Sequence, residues 1–122
     1  MKYNHYLDEL GFCEEEWMYD NQNSPDHRYR QNEEGFIPAM FYDLDVSLGM
    51  IIYSHLRYFK DNCLHSHPSG MTMEEWQSII DKMIDAFRGM VVEDEYRMTK
   101  RRKRAIKQGL RLFIKYYQHL WY

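Results

Sequence analysis

The stretch Thr72 to Phe87, TMEEWQSIIDKMIDAF, constrains the fold of this chain more than any other. Trp76, Ile79, Ile80, Met83, Ile84 and Phe87 recur every three or four residues, which places them on one face of an α-helix. Thr72, with Glu75 three residues on, makes the capping box that satisfies free amides at a helix start. The spacing predicts a helix over 72–91, ending ahead of the acidic run Glu93 to Glu95. Such a helix must bury its apolar face, so the chain has to supply partners of matching pattern.

Two other segments do so. Leu44, Leu48, Ile51, Ile52, Leu56, Phe59 and Cys63 form a helical stripe over 44–62, with Asp43 as N-cap and Asp45 in the first turn. Pro68 and Gly70 in LHSHPSG then break the chain. A third helix is predicted over 97–120, with Ile106, Leu110, Phe113, Ile114, Tyr117 and Trp121 on its apolar face. Strand signals are nearly absent; only GFIPAMFY, Gly35 to Tyr42, suits an extended segment. The expected fold is all-α, a small bundle of three main helices. At 122 residues the chain suits one domain, with 1–42 a partly irregular segment packed on a 43–122 helical core. YDNQNSPDHRYRQNEEG reads as loop, after a weak helix around Glu14 to Tyr19.

A hydrophobic fraction of 44% with 29% charged residues argues against disorder. No apolar run approaches ~18 residues and the first residues lack a signal-peptide core, so a cytoplasmic protein with no membrane contact is expected. Cys13 and Cys63 are expected as free thiols of a reducing compartment. Charge is strongly segregated. Residues 1–95 carry all 19 acidic groups and 7 basic ones, whereas residues 96–122 carry 9 basic groups and no acid. The chain's net −3 hides this asymmetry.

The basic block has helical order. Arg97, Lys100, Arg104, Lys107, Arg111 and Lys115 share one side of the third helix, roughly 120° from its apolar stripe. Tyr116 and His119 stand beside them. Such a ridge can neutralise phosphates of nucleic acid, hold an anionic small molecule such as a nucleotide, or dock on an acidic protein. It can also be an internal counterweight to residues 1–95.

Other candidates carry less. His55 falls on the apolar side of the first helix and reads as a core histidine. Cys63, His65 and His67 are zinc-binding types, but their alternate spacing is not a strong zinc pattern, so no metal or other cofactor is assigned. Asp43 and Asp45 leave a helix start on different faces and make no acid–base dyad. Asp45 suits a structural clasp with Arg104 or Arg111. The G-x-S-x-G, phosphate-loop, G-x-G-x-x-G and H-E-x-x-H motifs are missing, so no catalytic residue is assigned.

The stretches Gly35–Phe36, Asp43 to Asp45, LRYFKDN (Leu56 to Asn62), Met71 to Phe87 and GLRLFIKYYQHLW (Gly109 to Trp121) resemble a group of small bacteriophage and prophage proteins without assigned activity. The resemblance covers residues 35–122 and lies in helix faces more than in chemistry. Ser54 and His55 stand where that group has proline and arginine. It implies a non-enzymatic accessory factor in the cytoplasm of a host bacterium, binding a host defence protein or an anionic nucleotide signal. Nucleic-acid binding through the basic helix and self-assembly into a homo-oligomer are the alternatives.

Overall fold

A computed structural model describes residues 5–10 and 25–121. The expected helix around Glu14 to Tyr19, and Cys13, lie outside the described residues. Among the described residues the fold is helical without strands: α1 spans Leu44–Asn62, α2 Met73–Val92 and α3 Lys100–Tyr116. Short 3-10 turns occupy His5–Leu10, His27–Tyr29, Pro38–Phe41, Glu95–Arg97 and Tyr117–His119. The chain divides into two compact units, Met1–Leu48 and Gly49–Tyr122, with the boundary in the second turn of α1.

In the first unit the backbone turns tightly. Asp26 caps the His27–Tyr29 turn by accepting from the Arg28 backbone N–H at 3.0 Å, and its carboxylate also accepts from the Arg28 guanidinium at 2.9 Å. These bonds hold the Asp26 carboxyl down at about 2. Asn32 accepts from the Glu34 and Phe36 amides around Gly35, whose φ of 90° suits glycine. The expected extended segment at 35–42 is instead a 3-10 turn over Pro38–Phe41, for which proline's fixed φ is pre-set at the first position. Ser47 closes the unit: its Oγ donates to the Met40 carbonyl at 2.8 Å.

The second unit is the small helical bundle. Thr72 caps α2, its hydroxyl accepting from the Glu75 amide at 3.1 Å. Trp76, Ile80, Met83, Ile84, Ala86, Phe87 and Gly89 are buried along α2. α1 runs antiparallel to it, with Gly49 against Val91 and Lys60 paired with Asp81. α3 returns antiparallel on a seam of small residues. A methyl on Gly109 would overlap the Lys82 carbonyl oxygen and lie 2.6 Å from the Ala86 Cβ. Backbones that close bring large rings together on either side: Phe87 meets Phe113 edge-on at 4.9 Å, and Trp76 meets Tyr116 at 5.6 Å. Each such pair adds about 1 kcal/mol beyond the area it buries.

The buried face of α1 differs from the expected stripe. Ser47, Met50, Tyr53, Ser54 and Leu56 are buried, whereas Leu44 and Leu48 are 40% and 47% exposed. Leu56 belongs to the expected stripe, but the arc of Ser47, Met50, Tyr53 and Ser54 centres roughly 160° from it at 100° per residue. Serine can be buried there because the helix satisfies its hydroxyl: Ser54 Oγ donates to the Ile51 carbonyl at 3.1 Å. His55 is accordingly exposed rather than a core histidine, with Nδ1 2.6 Å from the Ile51 carbonyl oxygen. Asp45 is exposed too, which removes the burial that suggested a clasp.

Arg102 ties the α2–α3 connection together. Its Nε and Nη2 donate to the Glu93 carboxylate at 2.8 and 2.6 Å, and its Nη1 donates to Asp85 at 2.6 Å. Gly89 makes room, since a Cβ there would lie 2.7 Å from Arg102 Nη2. The guanidinium holds the Glu93 carboxyl below the usual carboxylate range. A carboxylate with a lowered folded-state pKa stabilises above its unfolded pKa, and that contribution is lost as pH falls through the folded value. The Glu93→Gln variant is therefore expected to be about 2 kcal/mol less stable at neutral pH, with the difference from the natural protein closing in acid. Thermal melts of both proteins across this range check it; a difference independent of pH contradicts it.

Candidate functional site

The cations of α3 sort into two sets. Arg102 alone among KRRKR turns toward α2 and is matched by two carboxylates. Lys100, Arg104, Lys107, Arg111 and Lys115 are exposed. They lie roughly 180° round the helix from Gly109 and Arg102, so they form the face opposite α2. Among the described residues none of these five forms an ion pair, and no acidic residue follows Glu95 in the sequence. Lys115 lies with its Nζ 5.3 Å from the Tyr116 ring centre. The ridge runs from Lys100 to Lys115, fifteen helical rises or about 22 Å.

The remaining expected site residues lie elsewhere. Arg97 belongs to the Glu95–Arg97 turn, not to α3, and its Nε is 3.6 Å from Asp94 in an exposed pair. The helix begins three residues later than expected because Thr99 caps it, accepting from the Arg102 amide at 3.1 Å. Tyr116 is half-buried on the α2 side, its ring spent on Trp76. His119 is exposed, 6.0 Å from Tyr116 between ring centres. Cys63 is a free, half-buried thiol and His65 and His67 are exposed. Among the described residues no group of three or more His, Cys, Asp or Glu could hold a metal ion.

The ridge is placed against the electrostatic preference of a helix. A helix N-terminus carries partial positive charge and favours acids. The first turn of α3 has no acid and is filled by Lys100, Arg101, Arg102 and Lys103. Lys100–Arg104, Lys103–Lys107, Lys107–Arg111 and Arg111–Lys115 are like-charge pairs one turn apart. At a few tenths each, those four pairs destabilise the helix by about 1 to 2 kcal/mol. Among the described residues, Arg102 is the α3 cation that carboxylates compensate. A segment that breaks local rules without internal compensation is where function concentrates.

The unit carrying the ridge is itself basic, with 13 basic and 8 acidic residues in 49–122, a net of +5. The acidic surplus belongs to residues 1–48, with 3 basic and 11 acidic residues. At physiological ionic strength exposed charges are largely screened beyond ~8 Å, so the cations nearest a partner weigh more in its binding than a net charge does.

Two aromatics expected on the apolar face stand exposed beyond the last turn of α3, past the C-terminal end of the ridge. Tyr117 and Trp121 are 63% and 65% exposed, and Ile114 is 76% exposed. Of that face α2 meets Ile106 and Phe113. In comparisons with protein-family models, curated proteins and solved structures, nothing matched this chain. No helix among the described residues is long and apolar enough to cross a membrane.

Proposed function

We propose that this chain is a non-enzymatic binding protein that seats an extended anionic partner along the exposed face of α3. One observation carries the reading: Lys100, Arg104, Lys107, Arg111 and Lys115 line the face of α3 opposite α2, mutually repulsive and without an ion-pair partner among the described residues. An external polyanion removes that repulsion, and no other described feature does.

The shape of the ridge selects the size of the partner. Small-molecule sites are concave and converge on their ligand. A straight helix face is convex, with successive cations about 5–6 Å apart. A single nucleotide reaches two adjacent cations at most, so the geometry favours a linear polyanion over a mononucleotide. In the phage setting that the resemblance implies, such a protein would act by occupying an anionic component of host defence. Of the two forms expected there, a nucleotide-signal sponge is the weaker, because it needs a pocket.

Titration calorimetry with long-chain polyphosphate and with ATP, at low salt, tests the proposal. Polyphosphate is expected to bind and to raise the melting temperature by mass action, and ATP to bind at least tenfold more weakly. Absence of polyphosphate binding, or equal affinity for ATP, would count against an extended partner.

A further inference from the structure

We infer that the extended anion is single-stranded nucleic acid, its phosphates following the α3 cations and its bases stacking on Tyr117 and Trp121; this rests on the polyanion reading above. Aromatic rings stand open at both ends of the ridge. Tyr96, before the Thr99 cap, is 96% exposed, and Tyr117 and Trp121 follow the last turn. Tyrosine and tryptophan are the side chains on which unpaired bases stack, and cations with interleaved rings are how sequence-tolerant single-strand binders hold their ligand.

Tyr117 is also braced for that role. Its ring meets Phe113 edge-on at 5.6 Å, and Phe113 meets the buried Phe87 edge-on at 4.9 Å. Tyr117 is therefore anchored through Phe113 to the α2–α3 core while remaining 63% exposed. An exposed ring held in place loses little freedom when a base stacks on it.

The arrangement separates single strands from the other polyanions. A duplex hides its base faces and would leave the rings idle. A lipid surface calls for apolar residues along the whole length of an interfacial helix. Here cations run the length of α3, and its one exposed large apolar side chain, Ile114, lies near the C-terminal end, with Tyr117 and Trp121 beyond.

Fluorescence anisotropy with a labelled oligothymidylate, a duplex of equal length and long-chain polyphosphate tests the inference. The natural protein is expected to bind the single strand more tightly than the duplex, with quenching of tryptophan emission. Tyr117→Ala/Trp121→Ala is expected to lose roughly tenfold or more in affinity for the oligothymidylate and to keep its affinity for polyphosphate. Trp121→Ala alone, at an exposed position after the last turn, gives the same comparison if the double variant folds poorly. Duplex preference, unchanged oligothymidylate affinity in Trp121→Ala, or binding to anionic vesicles but not to the oligonucleotide would overturn the inference. Polyphosphate binding in any of those cases leaves the polyanion reading standing; failure to bind polyphosphate removes both.

Discussion

Replacing Gly109 by alanine is expected to destabilise the protein by about 3 kcal/mol, although alanine is the better helix former by about 1 kcal/mol. Two effects oppose each other here and the geometry decides. The added methyl meets the Lys82 carbonyl oxygen and the Ala86 Cβ, both fixed to the α2 backbone. Neither can rotate away, so the two helices must separate. Separation loosens the ring pairs Phe87–Phe113 and Trp76–Tyr116 along the same seam. The expected fall in melting temperature is on the order of 10 °C. Gly49→Ala gives the control: its Cβ would meet only the Val91 side chain, at 2.7 Å, and a side chain can shift. Thermal melts followed by circular dichroism compare the two. A Gly109→Ala protein more stable than the natural one would mean that helix propensity wins and that α2 and α3 do not approach this closely.

The second large effect falls on binding. Arg104→Glu/Arg111→Glu is expected to weaken polyphosphate binding on the order of 100-fold or more, since two cations become anions in the middle of the ridge. Stability should move the other way. Each reversal turns repulsion with Lys100, Lys107 or Lys115 into attraction, for a gain of about 1 kcal/mol. A variant that melts higher but no longer binds would show that the natural charges are kept for contact rather than for folding. Loss of binding together with loss of helical signal would instead make the two arginines structural.

How legible this was in the sequence varies from helix to helix. α2 follows from its pattern because Thr72 supplies a cap and the core side chains are large and regularly spaced. The ridge was legible for a simpler reason: exposed cations need only the helical period, and nothing in the fold has to recognise them. α1 shows the limit. Of its predicted apolar stripe only Leu56 is buried, and the rest of the buried face is Ser47, Met50, Tyr53 and Ser54, where backbone carbonyls accept the serine hydroxyls. Hydrophobicity counts cannot see that compensation. Arg102 was missed as the inward cation, although it sits one turn before Ile106 on the line that meets α2. Its partners Asp85 and Glu93 are 17 and 9 residues away, brought to it only by the α2–α3 turn. Tyr117 and Trp121 match the apolar stripe by period, but both stand exposed beyond the last turn of α3.

The salt dependence of polyphosphate affinity reads out whether α3 acts by its uncompensated cations. A log–log plot of affinity against salt concentration measures how many counterions are displaced, close to one for each cation engaged. For five ridge cations the slope is expected to lie at about −3 to −5, falling to near zero in Arg104→Glu/Arg111→Glu. A shallow slope in the natural protein, or one that the double reversal leaves unchanged, would contradict the assignment of α3 as the binding face.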